Sequence, residues 1–224
     1  MTLDSDRIVH LEAELRSPAI NIRKEALDEL AEAPPEIALP ILQRLAAEPD
    51  FALRRLAVMG FGNHPTQASF EALQAILEDE HDANVLAEAA NSIFEFGDPA
   101  ISILQDVYRR HDHWLVRQTV LALFTEGNRP SVLLSAAVEA IGNDNPMLKE
   151  TGILALAQLA DSDESQAAFE TLERMARDNR WRNRWRAAIA LKLFDTPDAK
   201  QLLAKLKQDE HFRVVAAALD SDLD

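Results

Sequence analysis

One pattern recurs along the chain at a nearly constant interval, and it leaves little choice of architecture. A basic residue is followed three, four and seven positions later by apolar or small residues. It occurs at Arg23 with Ala26, Leu27 and Leu30, at Arg54 with Ala57, Val58 and Phe61, at Arg117 with Val120, Leu121 and Phe124, and at Lys149 with Gly152, Ile153 and Leu156. Further copies begin at Arg184 (Ala187, Ala188, Leu191) and at Arg213 (Ala216, Ala217), the latter meeting Asp220 where its last apolar residue is due. Between Arg54 and Arg117 the phase asks for a copy near residue 86, and Leu86, Ala89, Ala90 and Ile93 supply it without the basic residue. Successive copies stand 31, 32, 31, 32, 35 and 29 residues apart, so seven span the chain. Offsets of three, four and seven fall on one stripe of a helix, and each such amphipathic helix needs a neighbour to cover it.

The neighbours lie upstream. Stretches beginning Pro35-Glu36-Ile37, Thr66-Gln67-Ala68, Asp98-Pro99-Ala100, Pro130-Ser131-Val132 and Thr196-Pro197-Asp198 carry the Pro, Thr or Asp that open helices. The turn into each second helix has its own polar column, Asp50, Asp82, Asp112, Asp144, Asn179 and Asp209, expected to cap that helix against its positive end. Helix pairs repeated in this way predict an all-α fold: a right-handed α-solenoid of about seven two-helix repeats, forming a single domain over 1–224. The longest interval, around Asp161 to Glu164, reads as a longer loop between units. With 47% hydrophobic but only 6% aromatic residues, the composition favours helix over sheet.

The chain has no cysteine, which removes disulfides, thiolate nucleophiles and Cys-ligated metals from consideration. His111-Asp112-His113 places two histidines two residues apart, which do not share a helix face, so no metal site is assigned. No Ser-His-Asp order, glycine-rich phosphate loop or isolated carboxylate pair stands out, and no catalytic residue or cofactor is assigned. An acidic start, Met1 to Arg7, and the lack of a long uncharged apolar run point to a cytoplasmic protein without membrane insertion. A net charge of −15 repels nucleic acid unless cations gather on one face.

They do gather. Arg174 to Lys192 holds seven basic residues and one acid, Asp178, around Arg180-Trp181-Arg182-Asn183-Arg184-Trp185-Arg186. Trp181 precedes the repeat position by three residues, as Phe51 and Trp114 do, and is expected to pack at the start of its helix, while Arg184 is the repeat's own arginine. Arg182, Trp185 and Arg186 fall off the apolar stripe. With Arg180, and with His113 at an exposed turn, they are the candidates for binding a partner, since Arg and Trp recognise carboxylates and are enriched at interface hot spots. The expected mode is a concave face of successive second helices gripping an acidic protein surface.

The segment Asp50-Phe51-Ala52-Leu53-Arg54-Arg55-Leu56-Ala57-Val58 resembles HEAT-like repeats, in particular the short repeats of the phycobilisome-lyase-like group, and Asp112-His113-Trp114-Leu115-Val116-Arg117 is similar to the stronger units of that group. The resemblance covers nearly the whole chain; Leu86 in place of the basic residue and Gly152 in place of Ala are the departures from strict regularity. It implies a cyanobacterial protein and a non-catalytic scaffold that engages phycobiliproteins in phycobilisome assembly or degradation. The alternative it implies is a bilin lyase or isomerase subunit acting on chromophore attached to the phycobiliprotein, with bilin as a bound ligand. Two enzymes of HEAT-like architecture are disfavoured: di-iron hydroxylases need repeated His-Glu pairs, which do not occur here, and alkylpurine DNA glycosylases need a cationic groove.

Overall fold

The computed structural model describes residues 5–219, and among them every regular element is helical. The chain divides into two compact units, Met1–Val120 and Leu121–Asp224. The first holds α1 (Ser5–Leu15), α2 (Ile20–Ala31), α3 (Pro35–Ala46), α4 (Phe51–Asn63), α5 (Gln67–Asp79), α6 (Ala83–Phe94) and α7 (Asp98–Arg110). The division falls inside α8 (Trp114–Glu126). The second unit continues with α9 (Pro130–Gly142), α10 (Pro146–Ala155) running into a 3-10 turn at Leu156–Leu159, α11 (Ser165–Met175), α12 (Trp181–Leu191), α13 (Pro197–Leu206) and α14 (Phe212–Leu219). These fourteen helices make seven pairs of the α-solenoid class.

Within the first unit the second helices α2, α4 and α6 pack on one another in turn, and α1, α3 and α5 each cover their pair partner. In the second unit α10, α12 and α14 form the corresponding layer, flanked by α9, α11 and α13. The apolar stripe explains the layering. Ala57, Val58 and Phe61, Ala89, Ala90 and Ile93, and Ala187, Ala188 and Leu191 are all buried, and the small residue at the third offset lets neighbouring helices approach closely. At Gly152 the approach is closer still. A Cβ there would lie 2.8 Å from the Ala137 carbonyl oxygen and 2.8 Å from the Ala140 Cβ on α9, so the departure from Ala is imposed by packing.

Helix starts follow the sequence in most places. Pro35, Pro130 and Pro197 open their helices, and the Thr66 and Thr196 hydroxyls accept from the Ser69 and Ala199 N–H groups. One first helix, α11, carries no such signal: it has no proline, and Glu164 before it makes no side-chain cap. The long interval is taken up partly by the 3-10 turn that prolongs α10, as well as by the loop.

Two registers differ from the sequence expectation. Asp50 and Asp82 cap their helices, accepting from Ala52 and from Asn84 and Val85. Asp112, Asp144 and Asn179 lie one position too early; the capping positions belong to His113, Asn145 and Arg180, and Arg180 makes no side-chain cap. His113 Nδ1 accepts from Leu115 and Asn145 Oδ1 from Met147 and Leu148, so an imidazole or amide does the work expected of a carboxylate. Asp209 lies two positions early and accepts from the His211 N–H at 2.8 Å. The last copy also shifts. The repeat's basic residue is the fourth helical residue in α2, α4, α8, α10 and α12, but in α14 that place is Val215, and Arg213 is the second. Accordingly Ala218 is buried and Ala216 exposed: contact with α12 sets the register, not the position of a cation. Asp220 lies outside the described residues. Among those described, no helix is long and apolar enough to cross a membrane.

Candidate partner-binding site

The repeat arginine is turned inward where it is best satisfied. Arg184, only 8% exposed, donates from Nη1 to the Asp178 and Asn179 carbonyls, and from Nε and Nη2 to Asp209 at 2.7 and 3.0 Å. It thereby closes the turn after α11 and ties it to the turn before α14. Arg54 repeats the arrangement with the Glu48 and Pro49 carbonyls and with Glu80. Such forked, charge-assisted bonds are strong, and they polarise the acids. Asp209 is held below the usual carboxylate range by Arg184. Burial alone would raise Glu80, but Arg54 and the N–H groups of Asp82 and His81 outweigh it and hold the carboxyl at about 2. Arg117 donates to the His111 carbonyl and to Asp112, and Lys149 is half-buried at the same position of α10.

With Arg184 and Asn183 pointing inward, helix geometry sends Arg182 outward and leaves Trp185 and Arg186 half-buried. Arg182, whose side chain is 62% exposed, lies 5.4 Å from the Trp181 ring centre, and Arg186 lies 4.1 Å from that of Trp185. Both are within cation–π range. Glu150 on α10 reaches both arginines, at 3.0 Å to Arg186 Nε and a looser 3.7 Å to Arg182. Arg180 is exposed at the start of α12. The structure therefore brings Arg182, Trp185 and Arg186 together beside a groove of about 450 Å³ between α10 and α12, floored by Met147, Thr151 and Leu154.

Trp181 is half-buried, face to face with His211 at 3.9 Å and 4°. Phe51 and Trp114 do not share that packing, being 46% and 43% exposed. Phe212 continues the stack from His211 at 5.1 Å, and Arg213 lies 5.5 Å from Trp181 and 5.9 Å from Phe212. His211, Phe212, Met147 and Glu150 were not singled out in the sequence. The available signal was that Phe212 and Trp181 are both first helical residues, a match hidden when the last copy is aligned on Arg213. His113 serves a different element: in the first unit it caps α8, exposed, its ring 6.0 Å from that of Trp114.

Chemically, the α12 cluster offers forked cation donors, flat aromatic faces and an apolar floor, which suits carboxylates next to bulky side chains. Among the described residues no three His, Asp or Glu side chains are grouped so as to hold a metal ion.

A family model of HEAT repeats matches residues 38–124 and 131–221. Comparison with curated proteins returned no match. Among solved structures, the chain is similar to Escherichia coli YibA at 13% identity and a TM-score of 0.67, over 96% of this chain and 80% of that one. It is similar to an engineered protein at 18% identity and a TM-score of 0.52, over 95% and 66%. It also resembles the karyopherin Kap121p bound to the extreme C-terminus of the phosphatase Cdc14p, at 17% identity and a TM-score of 0.56, over 97% of this chain but only 29% of Kap121p. At these identities the structural likenesses speak to fold alone. The family match extends over most of both units and agrees with the helix pairs, so this chain belongs to the HEAT-repeat family.

Proposed function

We propose that the chain is a non-catalytic protein-binding scaffold that holds an acidic partner on the second-helix layer of its second unit. Arg182, Trp185 and Arg186 are the anchor and Arg180 lies at its edge. The observation that carries this reading is the partly exposed arginine–tryptophan cluster of α12 in a chain whose net charge is −15. A cationic patch on an otherwise acidic body orients encounter with a negative surface and discourages other approaches. HEAT-repeat folds of this kind hold protein segments, as in the complex of Kap121p with a phosphatase C-terminus.

The finer reading is that the partner is a phycobiliprotein, engaged during assembly or dismantling of the light-harvesting antenna. It is supported by the resemblance of Asp50 to Val58 and Asp112 to Arg117 to repeats of the phycobilisome-lyase-like group. The affinity of guanidinium forks for acidic surfaces and chromophore propionates supports it too. His113 beside Trp114 offers a smaller contact of similar character in the first unit.

Combined replacement Arg182→Ala, Trp185→Ala and Arg186→Ala should abolish capture of purified phycobiliprotein in a pull-down and leave helical circular dichroism unchanged. Undiminished capture by the triple variant would remove the cluster from the mechanism, and no capture by the wild type would remove the partner. Mixing the protein with free bilin, alone and with apo-phycobiliprotein, separates scaffold from lyase: a flat visible spectrum supports the scaffold, and a shifted, persistent band supports the enzyme.

A further inference from the structure

Arg23 holds the repeat position of Arg54 and Arg184 but has none of their partners. Its guanidinium makes no hydrogen bond or ion pair among the described residues, and its Nε is buried without an acceptor. The acid that the pattern provides for it is Glu48, three residues before Phe51, as Glu80 is three before Ala83 and Asp209 three before Phe212. Arg16 has taken that acid, donating to Glu48 from Nε at 3.0 Å and Nη2 at 2.9 Å while Glu12 holds its Nη1. A buried charged donor left without an acceptor is costly, and such atoms mark places where a ligand completes the structure.

Arg23 also lines an apolar groove of the first unit. Between α2 and α4 a cavity of about 540 Å³ is walled by Ile20, Leu27, Phe51, Leu56 and Met59. Ile20 is 80% exposed and Phe51 and Met59 are partly so, which leaves bulky apolar surface uncovered next to an unsatisfied cation. The other charged residues lining it are Lys24, paired with Asp28, and Arg55, paired with Glu88 on α6. With Lys24 matched by Asp28 and Arg55 by Glu88, Arg23 is the unmatched positive charge on this wall in an acidic chain.

We propose that the α2/α4 groove binds a short partner segment that presents a carboxylate side chain between bulky apolar ones. The carboxylate accepts from Arg23 and the apolar side chains cover Ile20, Phe51 and Met59. Charge complementarity selects an acidic peptide over a basic one, and the apolar walls select it over a nucleic acid, whose phosphates would find no use for them. The site is separate from the α12 cluster and stands whether or not that cluster binds a phycobiliprotein.

The test uses the full chain and two fluorescein-labelled hexapeptides, one alternating Glu with Leu, Phe and Leu, the other with Gln in place of each Glu, read by fluorescence anisotropy. The wild type should favour the acidic peptide by about fivefold, and Arg23→Gln should erase that preference without changing the affinity for the neutral one. Phe51→Ser should weaken both. Arg16→Gln should also lower the preference, because it releases Glu48 to Arg23 without touching the groove, and it carries the test should Arg23→Gln fail to fold. An acidic preference that survives in both Arg23→Gln and Arg16→Gln overturns the proposal, as does failure of the wild type to bind either peptide. Self-association in sedimentation, abolished by Phe51→Ser, would also overturn it, since a second copy would then be the occupant.

Discussion

Arg184 and Arg23 are each the fourth residue of a second helix, one in each unit of the molecule, and they carry the same sequence signature. Arg184 is given two carbonyls and the carboxylates of Asp209 and Glu210. Arg23 is given nothing, because Arg16 holds the acid that stands where Asp209 does. The repeat position is thus a staple where the following turn supplies a free carboxylate, and an unspent cation where a rival has claimed it. The grooves differ in the same sense. Beside α12 an internal acid, Glu150, occupies both arginines, whereas beside α2 the walls are mostly apolar and Arg23 is empty-handed.

The largest expected effect tests that contrast directly. Arg184→Met should cost about 3 kcal/mol in urea unfolding, since it leaves the buried Asp209 carboxylate without its counter-charge. Arg23→Met should cost nothing and stabilise by up to about 1 kcal/mol, because no bond is lost and an unsatisfied buried donor is removed. Equal losses at the two positions would break the comparison. Gly152→Ala should cost about 2 kcal/mol through its clash with Ala137 and Ala140, and so gives the scale of a packing defect that involves no charge.

Acid titration sharpens the same point. Glu80 sits at about 2 when folded against an ordinary 4.5, so the fold favours its charged form. That contribution is complete above pH 4.5 and is lost as pH falls from there towards 2, an effect on the order of 1–2 kcal/mol. Following stability by circular dichroism across that window, Arg54→Met should flatten the acid limb and Arg23→Met should leave it in place. The smallest effect concerns Glu150. Freed of this acid, Arg182 and Arg186 in Glu150→Gln should capture the acidic partner about fivefold more tightly, roughly 1 kcal/mol, in a pull-down titration. Weaker capture would mean that Glu150 orients the arginines instead of competing for them.

Much of the second-helix series was legible because burial enforces one spacing: Ala57, Val58 and Phe61 have to face inward together, and so do Ala187, Ala188 and Leu191. Helices opened by Pro35, Thr66 or Pro197 were legible because their caps are local. α11 was not, since neither a proline nor a cap announces it, and packing on α12 holds it in place. The cap column misled for a related reason. Several polar residues crowd each turn, and Asn145 and His113 fill the role that Asp144 and Asp112 were expected to fill, leaving those acids one residue outside. Of the α12 site, the residues on one helix were visible. Glu150 and His211 were not, because they arrive from other helices.

Periodicity in a linear chain determines which face of each helix must be hidden, and that suffices for the all-α class, the number of pairs and the choice of small residues along the stripe. It also places Arg182, Trp185 and Arg186 off that stripe. Which carboxylates Arg184 and Arg186 meet depends on side chains roughly 25 to 36 residues away in sequence, and only the packed helices bring them within hydrogen-bond reach. Tertiary structure alone therefore decided that Arg184 is satisfied and Arg23 is not.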